Sequence, residues 1–149
     1  MITFEKEAFN IFAYQYQNNN VYRSYCDLIN VSPTDVHELT EIPFLPIELF
    51  KSHRISCHEK SELIFESSGT GGPISKHHVA SVAAYERSFN AGFSQFYGSA
   101  SDYHILALLP GYLERPNASL VYMCRNLIRQ AKSKYSGFYL NQFEALNDA

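Results

Sequence analysis

Residues 66–76 read Glu66-Ser67-Ser68-Gly69-Thr70-Gly71-Gly72-Pro73-Ile74-Ser75-Lys76, and this segment holds the residues best suited to chemistry. Glycine carries no Cβ, so the backbone can turn tightly there and come close to a ligand. Successive N–H groups in such a turn, joined by the N-terminus of a following helix, form an anion site. Ser67, Ser68, Thr70 and Ser75 add hydroxyl donors, and Lys76 adds a positive charge. This donor set suits a polyphosphate. It differs from the P-loop of kinases and GTPases, because no Gly-Lys-Ser/Thr occurs. The competing reading is a flexible surface loop. A strand before the loop and a helix after it weigh against that reading.

The other reactive side chains give weaker signals. Cys57 has the polar neighbours Ser56, His58 and Glu59, but adjacency in sequence does not bring a Cys and a His together in space. Cys26 and Cys124 fall on apolar helix faces and read as core residues. His77-His78 stands at the expected start of the helix after Lys76, where it reads as an exposed pair or an aid to phosphate binding. His37, His53, His58 and His104 show no metal-ligand spacing, so no metal site is expected. Glu86 interrupts an apolar helix face and reads as a buried, paired carboxylate of structural weight.

The elements that must position the loop follow from periodicity. Residues 3–17 read as a helix capped by Thr3, with Phe4, Ala8, Ile11, Phe12 and Gln15 in a 3.6-residue rhythm. Asn18-Asn19-Asn20 breaks it, and a second helix is expected from Val21 to Ile29. Ser32-Pro33-Thr34-Asp35 resembles the start of another helical turn. Residues 42–55 carry Pro43 and Pro46, which favour extended backbone and predict a connection laid over a core before a short helical turn. Leu63-Ile64-Phe65 is an expected strand running into the loop, and a long helix is expected over 79–97, with Val79, Val82, Ala83, Phe89, Phe93 and Phe96 on one face. Tyr103–Leu109 reads as a strand buried on both sides. Asn117 or Ser119 would cap an amphipathic helix carrying Leu120, Met123, Cys124, Leu127, Ile128 and Ala131, and Phe138-Tyr139-Leu140 would begin a third strand. Strand and helix alternate, which predicts an α/β fold built on a partial parallel sheet with flanking helices. Three strands are few for such a sheet. The expectation is therefore one incomplete α/β domain over 1–149, with a helical segment at 1–40 and the loop-bearing α/β part at 41–149.

Composition narrows the function classes. The 149 residues are 46% hydrophobic and 18% charged, which excludes a disordered chain. The net charge is −3 and no Lys/Arg-rich stretch exists, so nucleic acid is not an expected partner. No apolar run approaches the ~20 residues of a membrane span, and the N-terminus lacks the pattern of a signal peptide. The three cysteines are odd in number and widely spaced, which argues against disulfides and fits a cytoplasmic location.

With these residues in view, the loop resembles the phosphate-binding loop of the adenylate-forming superfamily, whose common form is Ser-Ser/Gly-Gly-Thr-Thr-Gly followed by Pro and Lys. Gly71 stands where the second Thr is usual, and Ile74 and Ser75 lengthen the gap between Pro73 and Lys76. Ile42-Pro43-Phe44-Leu45-Pro46-Ile47-Glu48-Leu49-Phe50-Lys51 resembles a segment of the LuxE-type acyl-protein synthetases. Leu108-Leu109-Pro110-Gly111-Tyr112-Leu113-Glu114-Arg115-Pro116, continued by Ser119-Leu120-Val121-Tyr122-Met123, is similar to a second motif of the same family. The likeness covers about residues 40–140.

The resemblance implies an enzyme that activates a carboxylic acid with ATP and Mg²⁺ as acyl-adenylate, then passes the acyl group to an acceptor. It implies that Ser67, Ser68, Gly69, Thr70, Gly71, Gly72 and Lys76 cradle the ATP phosphates, and that Tyr112 lines an acyl pocket. It assigns no Mg²⁺ ligand. The superfamily's adenine-side motif (aromatic-Gly-x-Thr-Glu) and its catalytic C-terminal lobe have no counterpart in the sequence. The chain is therefore expected to be the N-terminal portion of such an enzyme, incomplete for turnover, with an acyl-acceptor protein or a C-terminal half as partner. A standalone nucleotide- or partner-binding module, or an inactive remnant of the fold, is the alternative.

Overall fold

The computed structural model describes residues 3–68, 72–109 and 117–148. Helix α1 (Phe4–Asn18) starts where the Thr3 hydroxyl oxygen accepts the Lys6 N–H at 3.3 Å, the cap expected from the sequence. Glu5 and Glu7 lie in its first turn, where the helix dipole favours negative charge. The asparagine triplet breaks the helix through one residue. Asn19 is extended; its N–H closes α1 on the Gln15 carbonyl, and its side chain caps α2 (Asn20–Leu28) by accepting the Tyr22 N–H at 3.2 Å.

The two helices pack through Phe12 and Tyr22, whose rings meet edge-on with centroids 6.1 Å apart, and Cys26 and Val36 complete the buried cluster. At its rim the Tyr16 hydroxyl donates to Asp27 at 2.6 Å, and Arg23 Nε donates to the Tyr16 carbonyl at 2.8 Å. Residues Ser32–Asp35 form the expected turn, closed by the Asp35 N–H on the Ser32 carbonyl at 3.0 Å and by Asp35 Oδ2 accepting the Ser32 N–H at 2.9 Å, and it does not continue as a helix. The proline segment lies over this cluster as expected. Ile42 and Leu45 pack on it, and the Tyr22 hydroxyl donates to the Pro43 carbonyl at 2.6 Å. The short helix α3 (Leu49–Ser52) follows.

Strands β1 (Leu63–Glu66) and β2 (Lys76–Val79) form an antiparallel hairpin, with Leu63 opposite Val79 and Glu66 opposite Lys76. This corrects the expectation that the loop runs straight into a helix. The chain first returns as a strand, and helix α4 (Val82–Tyr97) begins only after Ser81, whose side chain accepts the Ala84 N–H at 3.2 Å. The physical reason is period two. Phe65 and Val79 point inward and are buried, so residues 76–79 serve the core as a strand and not as a helical turn. On α4 the packed face carries Tyr85, Phe89 and Phe93, whereas Ala83 and Phe96 of the expected face are exposed.

Strands β3 (Leu106–Ala107) and β4 (Gly137–Phe138) pair in parallel, with helix α5 (Ser119–Gln130) between them in sequence. The expected third strand is therefore present, and its pairing is parallel. The expected single parallel sheet is corrected: among the described residues β1 belongs to the separate hairpin, and the parallel ladder holds only β3 and β4. The strand expected over 103–109 is also shorter. Ala107 is buried, but Leu106 and Leu108 remain 38% and 43% exposed, because a two-strand ladder covers neither of them fully.

Helix α5 is capped by Ala118, which offers no side-chain bond, and not by Asn117 or Ser119. Its buried centre is Val121, 1% exposed, with Leu127 and Ala131, whereas Leu120 of the expected face is 36% exposed. A short helix α6 (Phe143–Asn147) ends the described chain.

The chain is thus mixed α/β, with several helices and small sheets. It exposes 10321 Å² of surface at 17.0 kDa. A compact monomer of that mass exposes about 7,700 Å². The surplus makes the few buried clusters decisive for stability. Phe12→Ala is expected to cost about 3 kcal/mol in urea unfolding, through lost burial and the cavity left behind. Asn19→Ala is expected to cost about 1 kcal/mol through the lost cap. A loss below about 1 kcal/mol for Phe12→Ala would show that the helix pair does not unfold with the rest.

Candidate functional site

The hairpin extends one rung past its strands. The Ser67 N–H donates to the Ser75 carbonyl at 3.1 Å, and the Ser75 N–H donates back to Ser67 Oγ at 3.0 Å. The Ser67 hydroxyl is therefore tied to the Ser75 backbone at the neck of the loop. Gly72 adopts φ +128°, and a side chain there would meet nothing within 4 Å, so the backbone conformation and not space requires glycine. Gly69, Thr70 and Gly71 lie outside the described residues, as does Tyr112. Ser68 is exposed beside Ser67.

Lys76 opens β2 and stands opposite Glu66, with Nζ 3.9 Å from the carboxylate. Sequence reasoning placed Lys76 next to a helix start and gave Glu66 no role. Both groups are partly exposed, so the pair contributes little to stability. Its consequence is electrostatic: the one cation of the loop already faces an anion. Asn117 fixes that anion, since its carbonyl accepts the Glu66 N–H at 3.0 Å and its side-chain amide reaches Glu66 Oε2 at 3.4 Å.

The helix N-terminus near the loop is also not the one expected. Helix α4 is separated from the loop by β2, whereas Ser119, the first residue of α5, lines a cavity of about 300 Å³ with Ser67, Ser75, Lys76 and His77. Ala118 gives helix α5 no side-chain cap, and the positive end of the helix dipole lies at that cavity. The sequence signal for this was an alanine between two residues that could have capped the helix.

His77 and His78 sit on β2 and not at a helix start. The His77 ring stacks on Phe50 of the proline segment, with centroids 6.4 Å apart and planes 28° apart. His78 Nδ1 lies 3.0 Å from the Ser61 hydroxyl. Burial holds its pKa below the usual histidine value, with Arg54, Lys76 and His77 adding to the effect.

The remaining nominations resolve structurally. Cys26 is fully buried, and burial pushes its thiol up. Cys124 is half-buried on α5, as a packing residue is. Cys57 donates to Gln15 Oε1 at 3.0 Å, and burial raises its pKa, so the thiolate form is disfavoured. Glu86 is half-buried and paired with hydroxyl and amide donors instead of a cation: the Tyr122 hydroxyl donates to it at 2.7 Å and Asn126 at 3.2 Å. Among the described residues no group of three or more His, Cys, Asp or Glu converges as metal ligands, and no helix is long and apolar enough to cross a membrane.

What the geometry joins is a donor-rich hairpin neck, a lysine held by a carboxylate and an uncapped helix end, all on one small cavity. No curated protein and no solved structure matches the chain. A family model does: the one described as acyl-protein synthetase, LuxE, matches residues 2–137. A match over that much of the sequence shows the family, and the chain belongs to the LuxE acyl-protein synthetases.

Proposed function

We propose that the chain supplies the phosphate-binding side of an ATP-dependent acyl-protein synthetase of the adenylate-forming kind. The observation that carries this reading is the cavity at the loop neck, where Ser67, Ser75, Lys76 and Ser119 converge. Family membership supports acyl activation. In the reaction a carboxylate attacks the α-phosphorus of ATP, pyrophosphate leaves, and the acyl group then passes to a protein acceptor. Both reactants are anionic, so oriented donors must offset their charge. Ser67, Ser68, Gly69, Thr70, Gly71, Gly72 and Lys76 hold the β- and γ-phosphates in this reading, and the open N-terminus of α5 adds its dipole. Mg²⁺ accompanies ATP, and no residue of the chain is assigned to it. Tyr112 is assigned to the acyl pocket. We place the reaction in the cytoplasm, and the fold in the large domain of the adenylate-forming enzymes.

Lys76 must exchange Glu66 for phosphate when ATP binds. The same pairing favours a second reading, an inactive remnant whose lysine stays with Glu66 and whose loop, with Gly71 in place of a hydroxyl, no longer takes ATP.

The test is calorimetric titration with MgATP. Lys76→Ala is expected to weaken binding about tenfold, the loss of one charge-assisted contact at a partly exposed site. Glu66→Gln is expected to tighten it about threefold, by releasing the lysine. Absence of any MgATP binding selects the remnant, and equal affinity across the three proteins overturns the roles given to Lys76 and Glu66. The 149-residue chain, given MgATP and a range of carboxylic acids, is expected to release no steady pyrophosphate. Sustained release would overturn its assignment to the phosphate-binding side alone.

A further inference from the structure

Arg54, Ser61 and His78 lie outside the loop neck and form a second cluster of reactive groups. Ser61 Oγ is 3.0 Å from His78 Nδ1 and 3.3 Å from Arg54 Nη2. A guanidinium has donors only and keeps its charge at any ordinary pH. Arg54 therefore uses Ser61 as an acceptor and leaves the hydroxyl proton to be donated. His78 Nδ1 is the acceptor within reach, which sets the histidine tautomer with its own proton on Nε2. Donation runs from Arg54 to Ser61 to His78. A basic lone pair thus meets the Ser61 proton, and a cation sits beside the oxygen that would lose it, which is the arrangement of an activated nucleophile.

Local structure holds the three in place. Arg54 Nη2 also donates to the Glu59 carbonyl at 2.6 Å, which closes the turn that leads to Ser61. The Glu62 N–H donates to the Val79 carbonyl at 2.9 Å, so Ser61 and His78 are each next in sequence to a partner of that rung. Both are half-buried, within reach of a small reagent. His78 also lines a larger cavity, of about 820 Å³, which lies between α1 and the proline segment and shares Phe50 and His77 with the cavity at the loop neck. Burial holds the imidazole neutral, helped by the positive groups around it: Arg54 from the connection before β1, and Lys76 and His77 from β2. The nearby carboxylates are committed elsewhere. Glu66 of β1 is held by Lys76, and Glu62 accepts the Val82 N–H at 2.7 Å.

We propose that Ser61 is an oxygen nucleophile, activated by His78 and Arg54, that takes the acyl group of a small activated carboxylic ester without ATP. Ser61 Oγ bonds to the carbonyl carbon as its proton passes to His78 Nδ1. The bond from that carbon to the leaving oxygen then breaks, and the proton leaves with the alcohol. Water attacks the serine ester by the same route, which gives the carboxylic acid and restores Ser61. Arg54 offsets the negative charge on Ser61 Oγ as the proton departs. A purely structural cluster would close the 54–61 turn and leave Ser61 no more reactive than other serines. No phosphate and no residue of the loop takes part, so this centre stands apart from the phosphate-binding reading.

The experiment mixes the full chain with p-nitrophenyl acetate, follows p-nitrophenolate by absorbance and locates the acetyl group by peptide mass spectrometry. Release of p-nitrophenolate that Ser61→Ala abolishes, with the acetyl group on Ser61, is expected. His78→Gln keeps an acceptor opposite Ser61 but no base, and is expected to slow acetylation about a hundredfold. Arg54→Lys, which keeps the charge and loses the fixed fork, is expected to slow it about tenfold. The wild-type rate is expected to be level above about pH 6.5 and to fall in more acid solution, because His78 must be unprotonated and its pKa lies below the usual histidine value. Circular dichroism checks that each variant folds, and the wild-type peptide map and pH profile decide the matter where one does not. Acetyl groups only on other residues, no release above buffer, or a folded His78→Gln that reacts at the wild-type rate overturns the proposal. A wild-type rate that keeps climbing with pH through neutrality assigns the reaction to hydroxide or lysine and overturns it too. MgATP binding is measured separately and is expected to be unchanged in Ser61→Ala. Acetylated Ser61 in a chain that ignores MgATP sustains this centre while the ATP reading fails.

Discussion

The Phe65 ring lies 5.0 Å from Tyr85 on α4 and 5.6 Å from Tyr122 on α5, so one strand of the hairpin is clamped between two helices. Tyr85 and Tyr122 also meet each other, 6.1 Å apart, which closes a three-ring cluster. Such contacts add specific geometry to apolar burial, because edge-to-face rings tolerate little sliding. Glu86 sets the outer edge of the cluster by accepting the Tyr122 hydroxyl. That bond and burial raise the Tyr122 pKa, which keeps the hydroxyl a donor. The placement of Lys76 and Ser119 follows from this clamp. Phe65 fixes β1, β1 fixes the register of Lys76 on β2, and the position of Tyr122 on α5 brings Ser119 to the loop neck.

A hairpin neck differs physically from the strand-to-helix turn expected from the sequence. In a strand-to-helix turn the following helix supplies both covalent continuity and dipole, so the loop and the helix cannot be adjusted separately. Here the helix start beside the loop neck is that of α5, which is remote in sequence and anchored by its own buried centre at Val121 and Leu127. The loop is closed instead by the reciprocal Ser67–Ser75 rung. Glu66 occupies Lys76, which restrains a long side chain at an exposed position where it would otherwise sample many rotamers.

Much of the local structure was legible because local rules decided it. Thr3 as a cap, Asn19 as a break and Phe138 as a strand residue each depend on neighbours within four positions or on a short apolar run. The loop's composition likewise named Ser67, Ser75 and Lys76 without any fold. The failures share a different cause. His77-His78-Val79 was assigned to a helix because the following residues are helical, and only pairing with Leu63-Ile64-Phe65 turns it into a strand. The face expected on α5 is present from Met123 to Ala131, and only its first member fails, because Val121 and not Leu120 is buried at the helix start. Glu66 and Ser119 were missed as members of the site because they are joined to it by register and packing, neither of which a linear reading contains.

The helix α1 stripe shows the same limit in a more useful form. The sequence marked Phe4, Ala8, Ile11, Phe12 and Gln15 as one inward face, yet only Phe12 of these is fully buried. The other members line the large cavity together with Phe12, so this stripe faces an open groove and not a neighbouring element. Apolar surface held in that arrangement lowers stability unless something occupies it, since water against the stripe forfeits the burial that the pattern encodes. The Phe50–His77 stack is where the two chambers meet, so a shift in either ring alters both at once.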